Sequence, residues 1–196
     1  MCNDYEQHVT YRQYCEALKA LDLDTPSAES ATDLPQADDI RVGDMAPVLR
    51  PAGNGVELVA MRFGWPPPRP KAAPVFNFKS DGRHFADSKR CLIICSGFFE
   101  FTGTKYPKAK HRFSLMQSPV MGIAGLWSEN EDGALAFTML TTLPGPDVAP
   151  YHDRQVCIVP PADWPAWLYL SRAEAELLRP APVDTLRVET VRGAMA

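Results

Sequence analysis

Cys2 has the most unusual chemistry in the sequence. Removal of Met1 would leave a free α-amine and a thiol on one residue, a 1,2-aminothiol with two nucleophiles. The unperturbed amine titrates near pH ~8 and the thiol near ~8.5, so modest shifts make either reactive at neutral pH. The same position also reads as an idle cysteine on a frayed terminus. Glu100 lies in Gly97-Phe98-Phe99-Glu100-Phe101, where three aromatic neighbours can desolvate a carboxylate and suit it to proton transfer. Strand alternation equally allows it to face solvent, opposite Phe99 and Phe101. His152, in Tyr151-His152-Asp153-Arg154, follows a proline-rich loop of the kind that often carries site residues, and a surface role fits it as well.

Other reactive side chains are less suggestive. Cys91 and Cys95 are four apart and share a strand face, but no second pair or close histidine completes a zinc set. Cys15 and Cys157 lie in apolar surroundings and read as core. We expect neither a metal nor a cofactor. Between Lys105 and Arg112, basic and aromatic residues interleave, a composition that suits phosphate contacts with base stacking and also describes a solvated hairpin.

These groups must be positioned by a strand-rich chain. Its 196 residues, 45% apolar and 22% charged, suit one domain over 1–196 and exclude the disordered class. No apolar run is long enough to span a bilayer, and the start lacks a basic segment followed by an apolar one. Five cysteines without an export signal indicate reduced thiols in the cytoplasm. The net charge of −4 speaks against nucleic-acid binding only until it is mapped. Residues 22–39 hold six acids and no Lys or Arg, leaving 20 basic residues against 18 acidic ones elsewhere.

A capping box, Thr10-Tyr11-Arg12-Gln13, opens a helix predicted over about 10–21. The acidic stretch 22–39 has no periodicity and reads as a surface loop. Seven β-branched or aromatic runs follow as strand candidates: 45–50, 56–62, 91–101, 111–117, 120–127, 135–142 and 155–159. Near the end, 163–168 fits a short helix, Ser171-Arg172-Ala173-Glu174 opens another to about Leu178, and 185–191 suits one more strand. The 19 prolines cluster in what read as stiff surface connections.

The ordered pieces resemble the SOS response-associated peptidase family, also called abasic-site processing proteins. The resemblance rests on Met1-Cys2, Arg62-Phe63-Gly64-Trp65-Pro66, Asn77-Phe78-Lys79, Arg90-Cys91-Leu92 and the segment around Glu100. It continues with Ala124-Gly125-Leu126-Trp127, Phe137 to Thr142, His152-Asp153-Arg154 and Trp164-Pro165-Ala166-Trp167-Leu168. Asn3 and Asp4 follow Cys2 where the family often has Gly-Arg, Lys79 stands at the Arg of its N-A-R, Asp81 takes the place of its acid, and Asp44 replaces an Asn.

The resemblance implies an α+β fold, β-rich, with a barrel-like core of mixed strands and a few short peripheral helices. It implies Cys2, Asn77, Glu100 and His152 as catalytic residues, with Arg62, Trp65, Lys79 and Arg154 contacting DNA. The partner would be single-stranded DNA bearing abasic sites, captured through a thiazolidine on Cys2 to shield the lesion during a DNA-damage response. We expect a monomer without a membrane partner. Two other readings stay open at this point: an amino-terminal-nucleophile cysteine peptidase, which would also remove Met1 itself, and a noncatalytic single-strand DNA-binding module.

Overall fold

The computed structural model describes residues 2–19, 21, 23, 35–53, 55–67, 69 and 71–193. The helix expected over 10–21 is α1 (Tyr11–Lys19). Its capping box forms in both directions: the Thr10 N–H donates to Gln13 Oε1 at 2.9 Å, and the Gln13 N–H donates to Thr10 Oγ1 at 3.3 Å.

The remaining architecture is strand on strand. β1 (Asp4–Gln7), β2 (Ala37–Arg41), β3 (Met45–Ala52), β4 (Gly55–Phe63) and β5 (Asn77–Lys79) precede the central run. β6 (Arg90–Cys95), β7 (Gly97–Thr102), β8 (Ala109–Leu115), β9 (Met121–Glu129) and β10 (Leu135–Thr142) follow. The chain ends with β11 (Gln155–Val156), β12 (Ile158–Val159), α2 (Trp164–Tyr169), α3 (Glu174–Leu177) and β13 (Leu186–Arg192).

One sheet has the order β13-β8-β7-β1-β2. In the other, β10 pairs with β4, β4 with β3, β3 with β6, β6 with β9, and β9 returns to β10. That cycle is a closed five-stranded barrel, which leaves no edge in the ring to pair with a foreign strand. The strands are mixed, because β10 runs parallel to β4 and β5 and antiparallel to β9 and β11. The fold is thus β-rich α+β with a barrel-like core and short peripheral helices.

Period-two alternation divides the interior. On β6, Cys91, Ile93 and Cys95 join a cluster with Phe98 and Phe113 of the other sheet, whereas Leu92 and Ile94 join one with Trp164, Trp167 and Tyr14. The barrel therefore buries one face against the second sheet and the other against the helices. Trp164 and Trp167 anchor α2 by donating indole N–H groups to the carbonyls of Val159 and Cys91, each at 2.9 Å. Arg90 ties the same region together through the carbonyls of Phe85 and Trp167 at 2.8 and 3.1 Å.

Three expectations need correction. The run 91–101 is two strands: the chain leaves the barrel at Ser96, and β7 continues in the other sheet. Ser96 makes this corner by donating its N–H to the Glu6 carbonyl at 3.1 Å and its hydroxyl to Glu6 Oε1 at 2.9 Å. Gly97 is needed beside it, since a Cβ there would lie 2.7 Å from the Phe113 carbonyl oxygen. The end of the acidic stretch is β2 rather than loop, paired with β1 through Tyr5↔Ile40; residues 22 and 24–34 lie outside the described residues. The second capping box does not form, because Glu174 Oε1 instead accepts the Phe85 N–H at 2.8 Å and Ala173 occupies the cap without a side-chain bond.

Barrel closure makes a testable demand on Gly125. A Cβ there would lie 2.5 Å from Ile93 Cδ1 and 2.8 Å from the Thr138 carbonyl oxygen, and backbone cannot swing aside. Gly125→Ala should destabilise the protein by about 1–3 kcal/mol through overpacking. Gly193→Ala, with open space around its Cβ, should stay within about 0.5 kcal/mol. Urea midpoints of the two variants check the difference.

Candidate active site

The amino-terminal strand brings Cys2 into the space between the two sheets. β1 is held between β2 and β7, with Asp4↔Arg41 on one side and Tyr5↔Phe98 on the other. Glu6 fixes it further, accepting from Arg112 Nη2 at 2.6 Å and Nε at 2.9 Å. Cys2 is consequently 1% exposed. Its thiol donates to the Asp4 carbonyl at 3.3 Å. Burial pushes the thiol pKa well up, and the nearby Glu100 carboxylate adds to the shift, so Cys2 holds its proton at neutral pH.

Asn77 reaches the same point from the barrel. β5 runs parallel to β10, with Asn77 in register with Met139. Its Nδ2 donates to the Cys2 carbonyl at 2.7 Å. Its Oδ1 is buried and has no hydrogen-bond partner among the described residues, an acceptor of the kind that a bound ligand satisfies.

Glu100 faces inward, not to solvent, and is 2% exposed. Desolvation lifts its pKa to about 7 against the opposing pull of the chain's positive amino terminus. His152 comes from the loop between β10 and β11, its N–H bound to the Val148 carbonyl at 3.0 Å. Burial lowers its pKa, with the amino-terminal charge acting in the same direction. Its Nδ1 lies 2.9 Å from the Arg154 backbone nitrogen and 3.0 Å from Asp153 Oδ1. Its Nε2 lies 3.9 Å from Glu100 Oε2. Two groups able to exchange protons thus stand close together beside the thiol.

The loop carrying His152 is braced by a residue that sequence reasoning missed. The Tyr151 ring centroid lies 4.6 Å from that of His111 and 5.4 Å from that of Phe113. His111 is the cross-strand partner of Glu100, and its two ring nitrogens are fixed by the Thr102 and Thr190 hydroxyls at 2.7 and 3.0 Å. Among sequence signals, only the adjacency of Tyr151 to His152 pointed there.

The four expected DNA contacts occupy different settings. Lys79 is exposed, two residues beyond Asn77 and on the same strand face. Trp65 is partly buried, its ring centroid 5.9 Å from that of Phe78, over which the Arg83 guanidinium sits at 4.5 Å. Arg62 is exposed and donates to the Gly43 carbonyl at 3.1 Å. It pairs with Ala136, three residues from the Met139 partner of Asn77, so it faces the other side of the sheet. Arg154 is 8% exposed and committed within the fold, donating to Asp81 Oδ2 at 2.5 Å and to the Thr141 carbonyl at 2.8 Å. Asp81 is held below its ordinary pKa by this guanidinium. Because Thr141 is also the register partner of Lys79, Arg154 braces the strand end that presents Lys79. No group of three or more metal-ligating side chains occurs among the described residues.

Comparison with known proteins places this fold. The family model for SOS response associated peptidase (SRAP) matches residues 1–196. A Saccharomyces cerevisiae protein named as an abasic site processing protein is 28% identical over 85 residues, spanning 42% of this chain and 23% of its own length. Three crystal structures share the fold. A Bordetella bronchiseptica protein has a TM-score of 0.70 at 23% identity, covering 97% of this chain and 100% of its own. A Bacteroides thetaiotaomicron protein gives 0.71 at 16% identity, with 97% and 92% covered. A phage-related protein of Bordetella bronchiseptica gives 0.73 at 20% identity, with 97% and 94% covered.

Four substitutions separate bracing from chemistry. Arg154→Gln removes the ion pair to the exposed Asp81 and the buried bond to the Thr141 carbonyl, and should cost about 1–3 kcal/mol, whereas Lys79→Gln and Arg62→Gln should stay within about 0.5 kcal/mol. Glu100→Gln should do the opposite at alkaline pH. Glu100 titrates near 7 in the fold and near ~4.3 when unfolded, so in that window the folded state keeps a proton that the unfolded state has lost. The parent's stability from this group therefore falls as pH rises from about 4.3 to 7. Denaturation should show Glu100→Gln gaining on the parent by up to about 3 kcal/mol between pH 4.5 and 8.

Proposed function

The chain belongs to the SOS response associated peptidase (SRAP) family, and on that premise we propose that it captures abasic sites in single-stranded DNA as a covalent thiazolidine on Cys2, shielding the lesion. The observation that carries this reading is the convergence of Asn77, Glu100 and His152 on a buried residue that becomes amino-terminal once Met1 is removed. The abasic-site processing relative in yeast supports the substrate class.

An abasic residue equilibrates with an open-chain aldehyde. The α-amine of Cys2 attacks that carbon, and Glu100 passes the proton lost from nitrogen to the carbonyl oxygen, giving the carbinolamine. The carbinolamine then expels water, the second nitrogen proton passing through Glu100 to the leaving hydroxyl while His152 hydrogen-bonds to it, to give a Schiff base. The thiol adds across the C=N bond: a C–S bond forms, the thiol proton ends on nitrogen, and a five-membered ring closes. Asn77 holds the Cys2 carbonyl through Nδ2 and offers Oδ1 to a sugar hydroxyl. Lys79 supplies phosphate contact on the same strand face, with Trp65 extending the DNA surface and Arg154 bracing the strand end that presents Lys79, whereas Arg62, on the opposite sheet face, lies away from it.

The protonation states favour this chemistry over peptide hydrolysis by the thiol. A cysteine peptidase needs a thiolate at working pH, whereas burial and Glu100 keep the Cys2 thiol protonated. An amine that attacks first and a thiol that closes second need no thiolate at the outset. Glu100, titrating near neutrality, can accept a proton in the forward direction and return it when the ring reopens.

Denaturing gels with an abasic single-stranded oligonucleotide test the assignment. The parent should begin at Cys2 by intact mass and give a heat-stable shifted band, reacting better with single strands than with matched duplex. Cys2→Ser and Cys2→Ala should lose that band while still giving a Schiff base that borohydride traps. Glu100→Gln and His152→Ala should slow formation or reversal by about 10²-fold or more. A heat-stable adduct from Cys2→Ser at the parent rate, or active protein that retains Met1, overturns the reading.

A further inference from the structure

A cleft of about 530 Å³ opens beside the amino-terminal strand at Asn3, on the sheet that holds Glu100. Its walls come from both edges of that sheet: Arg41 from β2 at one side, Arg192 from β13 at the other, and Phe101 and Lys110 between them. Five strands at about 4.8 Å spacing make this a span of roughly 19 Å. Tyr106 and Lys108, on the hairpin between β7 and β8, complete the lining.

The charges in this cleft are unequally committed. Asp4 and Asp39 both bind the Lys110 ammonium, Asp4 at 2.9 Å, and Arg41 pairs with Asp39 at 3.3 Å. Lys110 is sealed further by the Phe99 ring, 3.6 Å beneath it. The acid that stands near Cys2 is thus neutralised inside the protein. Lys108 and Arg192 have no ion pair among the described residues, both line the cleft, and the Arg192 Nε–H bond to the Lys108 carbonyl at 3.3 Å holds the guanidinium against the Lys108 backbone. Beside them the Tyr106 ring is 89% exposed. An uncovered aromatic face next to two unneutralised cations is the pairing that holds a single-stranded nucleotide, base on ring and phosphate on charge.

We infer that this cleft is a subsite for a nucleotide flanking the abasic residue, with Lys108 and Arg192 on its phosphate and Tyr106 under its base. The inference rests on the proposed reading of the Cys2 site as one for abasic single strands: Asn3, next in sequence to Cys2, lines the cleft, and Phe101 and Lys110 place it on the sheet face opposite Glu100. The interleaved segment from Lys105 to Arg112 then divides its work. Lys110 and Arg112 pin β1 through Asp4 and Glu6, and the hairpin residues before them face the strand.

Fluorescence anisotropy with an intact, non-abasic single-stranded oligonucleotide reads this subsite apart from the chemistry. Lys108→Gln with Arg192→Gln should weaken binding and lower the slope of log K against log salt by about 1.4, two contacts at ~0.7 each. Tyr106→Ala should weaken binding about 5-fold or more and leave the slope unchanged, and Tyr106→Trp should restore it. All three positions are on the surface, and an unchanged melting temperature confirms folding. Parent-like affinity and slope in the double variant overturn the proposal. So does equal competition by an oligoglutamate of matched charge, which marks a general anion patch. Crosslinking to an abasic oligonucleotide is measured in parallel at saturating DNA. If the parent fails to crosslink while the variants still lose affinity, the thiazolidine reading falls and the nucleotide subsite stands.

Discussion

A chemistry that uses a chain's own amino terminus must hold in place the part of a protein most prone to fray. For the proposed Cys2 chemistry the requirement falls on one part-buried hydrogen bond, from Asn77 Nδ2 to the Cys2 carbonyl at 2.7 Å. It joins the first described residue to a strand 75 positions away, and it works only because β1 is already clamped between β2 and β7. Asn77 is itself placed by parallel pairing with β10, a barrel strand whose position is fixed on both sides. The closed barrel thus serves as a rigid datum. The second sheet carries Cys2 and Glu100 to it, and the loop after β10 delivers His152.

Burial at that point assigns the protons. A thiol, a carboxyl and an imidazole, all taken out of water, each shift toward the neutral form: Cys2 and Glu100 upward, His152 downward. The outcome suits a reaction that shuttles protons without accumulating charge. It also costs stability at neutral pH, because Glu100 must be deprotonated against desolvation before it can act as a base. Structural ion pairs stand nearby but serve another purpose. Arg154 with Asp81, Lys110 with Asp4, and Arg112 with Glu6 fasten the strands that present reactive groups.

How much of this was legible depended on the kind of signal. Barrel strands such as β4 and β10 are long runs rich in apolar and β-branched residues, alternately buried in β4 and buried on both faces in β10, and that composition shows in the sequence. β1, β2 and β5 do not show, for physical reasons. β1 buries Asp4, Glu6 and Gln7 as ion pairs and amide bonds that composition reads as polar, β2 buries only Ile40, and β5 has three residues. The corner at Ser96 was invisible because apolar character continues across it while the partner sheet changes. Cys2, Asn77, Glu100 and His152 were individually ambiguous, and only their order along the chain singled them out. The inward aim of Glu100 depends on which sheet face meets the barrel, which no local pattern contains. Arg154 illustrates the converse: its charge and position suggested DNA, but the geometry commits it to Asp81 and Thr141.

The departures at Asn3, Asp4 and Lys79 acquire a different meaning once the pairing is known. An unpaired carboxylate two residues from the reacting amine would repel phosphate, and at short range in a partly desolvated site that repulsion is substantial. Asp4 is instead spent on Lys110, whose ammonium is in turn shared with Asp39. Its role is to fasten β1 to β8 across β7, with little net field left toward solvent. Positive charge near the amino terminus then comes from residues remote in sequence and adjacent in the sheet, Arg192 on the last strand and Lys108 on the hairpin. Charge removed at position 4 and charge supplied across the sheet are two sides of one arrangement. The first strand can be tied down by an acid only if the cations that the proposed reading sets against DNA stand elsewhere.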